Sequence, residues 1–76
     1  AMIMSDSRLK ENITYYDRHS AGVNFYTFSW NEKAKELGLA NAPGFGMIAQ
    51  EVQKVYPEAV YEGSHGYLMV NYGKIQ

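Results

Sequence analysis

The chain has 76 residues, a formal net charge of −1 at pH 7 and no cysteine, which makes it one domain without disulfides or thiolate zinc sites. That charge gives no electrostatic reason to expect a nucleic-acid or membrane partner, no apolar run approaches the length of a membrane span, and no signal peptide is visible. So short a chain buries only about 60% of its unfolded surface, so oligomerisation is the remaining source of added stability.

The opening Ala1-Met2 stands where a native start would put Met first. Residues 1–4 therefore read as a cloning remnant or the end of an upstream segment, ahead of a domain over 5–76. In "SDSRLKENI" (5–13), Leu9 and Ile13 at i, i+4 suit a short helix, and a strand is also compatible. "VNFYTFSW" (23–30) is aromatic and β-branched and predicts a strand, with Tyr26, Phe28 and Trp30 on one face and Val23 and Phe25 on the other. "NEKAKEL" (31–37) predicts a helix with Asn31 as N-cap and Gly38 at its end. "NAPG" (41–44) is a loop.

From Ile48 the apolar positions Val52, Val55 and Tyr56 keep helical spacing until Pro57. Residues 59–62 and 67–72 read as strands joined across "GSHG", with Leu68, Val70 and Tyr72 facing one way. The expected fold class is α+β: a small single domain, a short antiparallel sheet with two to three helices packed on it. Strand 23–30 is expected beside 67–72, and helix 49–56 over both, with Val52 and Val55 as the cover.

Several features carry no clear chemistry. His19 and His65 are far apart and lack metal-ligand spacing, so no metal is expected, and no cofactor pattern is found. "GFG" (44–46) lacks the longer phosphate-loop pattern and fits close backbone packing. Glu51, Glu58 and Glu62 suggest no carboxylate pair. The seven tyrosines suit half-buried strand positions or an interface. Two helices followed by a hairpin also resemble a winged helix-turn-helix. The second helix, "AQEVQKVY", offers only Lys54 against Glu51, too little basic charge for a DNA reader.

Ser5 and Lys10 could form a nucleophile and base, given a lysine whose pKa is lowered by burial, a shift that a charged Glu11 nearby would oppose. Five residues apart they lie about 140° around a helix, or on opposite faces of a strand. They meet only if the backbone turns between them or if they come from different chains, so spacing alone carries no signal.

Three blocks in order carry more. "SDSRLKENI", "FYTFSWNEKAK" and "GFGMIAQEVQKVYPEAV", closed by "GYLMVNYGKI", resemble the intramolecular chaperone and autoprotease family found at the C-terminus of phage endosialidases, tailspikes, tail fibres and neck appendages, and within the myelin regulatory factor. The resemblance implies a chaperone that promotes folding and trimerisation of a parent chain and then releases itself. It implies a cut at Met4–Ser5, Ser5 as nucleophile, Lys10 as general base, and supporting roles for Asp6 and Arg8. Its partners would be two further copies and an upstream tailspike or fibre domain, in a virion precursor made in the host cytoplasm.

Members continue past the closing strand into a long trimer-building helix, so the resemblance implies a truncated C-terminal helix here. An uncut Met4–Ser5 bond is then expected, with the Ser5 and Lys10 side chains not in working contact. A non-cleaving trimerisation module is the alternative reading.

Overall fold

The computed structural model describes residues 2–76. Two antiparallel three-stranded sheets enclose the core. One has the order β1 (Met2–Met4), β6 (Leu68–Asn71), β5 (Val60–Glu62), and the other β2 (Lys10–Ser20), β3 (Val23–Trp30), β4 (Phe45–Gly46). Helices α1 (Glu32–Glu36) and α2 (Ala49–Val55) complete an α+β domain.

The segment 5–13, which by sequence suits a short helix or a strand, is a 3-10 turn at Ser7–Leu9 leading into an eleven-residue strand, so the strand reading holds from Lys10 onward. Leu9 is buried while Ile13 is exposed, so their helical spacing marks no common face. Ile13, Thr14, Tyr15 and Tyr16 are β-branched or aromatic and suit an extended backbone. The strand irregularities include a register shift between Glu11 and Thr14, where Asn12 adopts φ 55°, as at a bulge.

Strand 23–30 forms as expected but does not lie beside 67–72. Its neighbours are β2, joined through Ala21-Gly22, and β4. A partner across a two-residue connection closes with little loop entropy, whereas 67–72 is remote in sequence and pairs with β5 and β1.

Helix α2 bridges the two sheets. Val52 is fully buried in one cluster with Val23, Met47, Ala49, Ala59 and Val70. Burial of such a side chain stabilises by about 1.5–3 kcal/mol. Val55, the other expected cover, lies exposed, so the sheets share Val52 alone of the pair. Leu68 and Tyr72 pack on this cluster beside Val70, on the common face the sequence predicts.

A second cluster joins Leu9, Trp30 and Ala34, with Met4 and Phe28 against it. Asn31 caps α1 by accepting the Ala34 N–H at 3.0 Å. Gly38, with φ 85°, follows its last turn, a backbone conformation that favours glycine. The 41–44 loop is tied to β3 by the Trp30 indole N–H on the Ala42 carbonyl at 3.0 Å and by the Phe28 N–H on the Gly44 carbonyl at 3.0 Å. A Cβ at Gly44 would stand 2.3 Å from the Phe28 carbonyl oxygen, so "GFG" serves close backbone packing.

Candidate active site

The turn at Ser7–Leu9 does what a helix or strand could not. Asp6 caps it by accepting the Arg8 N–H at 2.9 Å, and the Leu9 N–H donates to the Asp6 carbonyl at 3.1 Å. Leu9 is driven into the Trp30–Ala34 cluster, which fixes the reversal. The chain then doubles back, and the Lys10 side chain reaches residue 5: Nζ donates to the Ser5 carbonyl at 3.4 Å and to the Met47 carbonyl at 2.7 Å.

Asp6 is completely buried and is the hub of the turn. Its carboxylate accepts from Arg8 Nε (3.1 Å) and Nη2 (2.9 Å), from Gln50 Nε2 (2.8 Å) and from the Leu68 N–H (2.9 Å). Burial by itself pushes this carboxyl up. The Arg8 side chain, the backbone N–H groups of Leu68 and Arg8, and Gln50 together outweigh it and hold the group well below the usual carboxylate range. Arg8 keeps its guanidinium mostly in solvent, over the Tyr67 ring and on the Gly66 carbonyl at 3.0 Å. Asp6 and Arg8 thus lock the turn to β6 and α2.

Gln50, which the sequence reading did not single out, accepts the Ser7 N–H at 2.9 Å while donating to Asp6. Its only signal was its place inside the "AQEVQKVYPEAV" block.

Ser5 is almost fully buried. Its N–H donates to the Leu68 carbonyl at 3.1 Å, and its carbonyl accepts the Ala49 N–H at 2.7 Å, at the start of α2. Its hydroxyl donates to the Ile3 carbonyl at 2.9 Å. The lysine therefore bonds to the backbone of Ser5, and the hydroxyl is engaged elsewhere.

Lys10 is 6% exposed, with Nζ 4.2 Å from the Phe28 ring centroid and 5.9 Å from that of Trp30. Burial pushes its pKa down to about 8, against the opposing pull of the Asp6 charge. Roughly a tenth of such an amine is free base at pH 7. Glu11, the next residue on β2, is exposed and points to the other face of the strand.

The residues ahead of Ser5 are held as a strand. Met2, Ile3 and Met4 pair with Asn71, Val70 and Met69, and β1 is the outer strand of its sheet. Because the Ser5 N–H bonds to Leu68, bonded and non-bonded pairs alternate back to Met4 opposite Met69 as a non-bonded pair. The Met4 carbonyl therefore points away from β6, toward the open edge. Along β1 runs a cavity of about 320 Å³, mostly apolar, whose walls include Met4, Lys10, Phe28, Trp30, Gly46 and Tyr72.

His19 lies on the exposed hairpin, against Phe25 and Ser20, and His65 in the β5–β6 connection. Among the described residues, no group of three His, Cys, Asp or Glu side chains is placed to hold a metal.

No solved structure matches the chain. A family model described as chaperone of endosialidase, and named among the peptidases, matches residues 5–61, most of the chain, and its match begins at Ser5. By that match the chain belongs to the chaperone of endosialidase family.

Proposed function

We propose that the domain is a C-terminal intramolecular chaperone of a phage tailspike or tail-fibre parent, which promotes trimerisation and folding and then cuts itself free at Met4–Ser5. The observation that carries this reading is the buried Lys10 amine, turned back onto residue 5 beside an upstream strand held in register on β6. Ser5 Oγ attacks the Met4 carbonyl carbon and passes its proton to the free-base Lys10 amine. The Met4–Ser5 C–N bond then breaks as the Ser5 nitrogen takes that proton, leaving the Met4 acyl group as an ester on Oγ. Water hydrolyses the ester to a Met4 carboxylate and a domain beginning at Ser5. Asp6 and Arg8 support the reaction by fixing the turn.

The Ser5 hydroxyl must first leave the Ile3 carbonyl. A rotation about its Cα–Cβ bond provides this, and assembly is the natural trigger. Exposed Ile13, Tyr15, Tyr16 and Phe45 offer apolar and aromatic surface of the kind interfaces use. Three chains held early in register raise the effective concentration of a slow-folding β-rich parent, and release afterwards leaves that parent kinetically trapped. The place of action is the virion precursor in the host cytoplasm.

A non-cleaving trimerisation module is favoured by one observation: the hydroxyl of Ser5 and the amine of Lys10 are both satisfied as they stand. Intact mass of a chain extended upstream and downstream by its parent sequence separates the two readings. Self-cleavage yields a fragment starting at Ser5, lost in Ser5→Ala and strongly slowed in Lys10→Ala, while trimers persist in both. An uncut trimer of the unsubstituted chain refutes the cleavage.

A further inference from the structure

The Lys10 amine is held by a carbonyl that is itself fixed from the end of the chain. Nζ donates to the Met47 carbonyl at 2.7 Å, and the N–H of that same Met47 donates to the Tyr72 hydroxyl oxygen at 2.8 Å. Tyr72 opens the 3-10 turn Tyr72–Lys74, where the Asn71 side chain accepts the Gly73 N–H at 3.0 Å. Its ring packs on the Val70 cluster, which sets the height at which the hydroxyl stands. Gly46 independently marks the approach. A Cβ there would lie 2.6 Å from the Tyr72 hydroxyl oxygen, closer than a side chain tolerates, so the hydroxyl reaches Met47 past a bare backbone. Tyr72 lies beyond the residues matched by the family model, yet it borders the same cavity as Met4 and Lys10.

We propose that Tyr72 is a positioning residue for Lys10: its hydroxyl, admitted by Gly46, pins the Met47 peptide and thereby holds the Lys10 amine against Ser5. This rests on the reading of Lys10 as the base of self-cleavage. Ring packing alone would leave Phe an adequate replacement, whereas the clamp requires the oxygen. The charged group acting on the lysine is Asp6, whose partners are Arg8, Gln50 and Leu68, so changes at residues 46 and 72 leave that influence in place.

The test is the titration of the Lys10 side chain by NMR in an uncut Ser5→Ala background, paired with cleavage rates of the upstream-extended chain that retains Ser5. Tyr72→Phe frees the Met47 peptide, admits water to the amine and raises its titration midpoint by roughly half a unit or more toward the ordinary lysine value. Cleavage at pH 7 falls about three-fold or more with it, in step with the free-base fraction. Gly46→Ala, which drives the hydroxyl off, moves the midpoint the same way and serves if Tyr72→Phe does not fold. Val60→Ala lowers stability at a site off this chain of bonds and leaves the midpoint where it was.

An unchanged midpoint in a folded Tyr72→Phe or Gly46→Ala chain overturns the clamp, as does an equal shift in Val60→Ala. A shift in an extended chain that never cleaves supports the clamp while overturning the self-cleavage reading.

Discussion

The turn at Asp6–Lys10 and the outer half of the β2–β3 hairpin are neighbours in sequence and opposites in build. In the turn, Asp6, Leu9 and Lys10 are buried and the polar groups are bonded to α2, to β6 and to the connection between β4 and α2. In the hairpin, Glu11–His19 are all exposed, and the register shifts three times along the strand pair. Its aromatic contacts, such as Tyr16 on Phe45, lie at the surface. A domain this small has one core's worth of stability to distribute. Here it rigidifies the segment Ser5–Lys10 that bears the candidate chemistry and leaves a long aromatic arm available for contacts.

The comparison breaks most sharply at Asp6. Asp6→Ala leaves the Leu68 and Arg8 N–H groups and the Gln50 amide without an acceptor, and each such orphan costs about 1–3 kcal/mol when buried. We expect a loss of roughly 3 kcal/mol or more, read from urea denaturation. A loss under about 1 kcal/mol would mean that water takes over those donors and that the turn is less tightly tied than its bonds indicate.

The pH dependence of stability comes next. Asp6 is held below its ordinary value, so its contribution is complete above the unfolded carboxylate range and is lost progressively as pH falls from that range through the lower folded value. Lys10 titrates near 8 when folded, against 10.5 for the ordinary group. Between those values the unfolded chain binds more protons, so stability rises from pH 8 toward 10.5 as far as this residue decides it. Urea midpoints in the intact domain and in Lys10→Met separate that term: the rise should be present in the first and absent in the second.

The smallest effect belongs to the arm. Tyr16→Ser should change the stability of a single chain by about 0.5 kcal/mol or less, because the side chain is 63% exposed. Trimer formation, followed by sedimentation of the extended chain, should weaken. A stability loss above about 1 kcal/mol would place Tyr16 in the core instead.

Legibility in the sequence follows the same division. Where local chemistry decides, residues were readable: Asn31 as a cap, Pro57 as a stop, Val23–Trp30 as a strand. The Ser7–Leu9 turn was not, because its determinants are remote: Gln50 and Leu68 supply the bonds and Trp30 the apolar seat for Leu9. Only the start of β2 is legible, as the strand that 5–13 also allows; beyond it the exposed run Thr14–His19 shows no alternation of apolar and polar sides. Pairing of β3 with 67–72 fails for the related reason that β2, unmarked beyond residue 13, takes the edge beside it. Ser5 and Lys10 drew attention through the opening motif, since their spacing carries no structural signal. Gln50 and Tyr72 act through hydrogen bonds that only the folded chain brings together.

The central claim is that Lys10, as a free amine, drives scission next to Ser5. It is tested most directly by the rate of appearance of a fragment beginning at Ser5, measured by intact mass across pH 6 to 10 in an assembled chain extended at both ends. The account predicts a rate that climbs with pH and levels off above a midpoint near 8, the value burial gives Lys10, and that vanishes in Ser5→Ala. A rate indifferent to pH over that range, or a fragment that begins at any other residue, would contradict it.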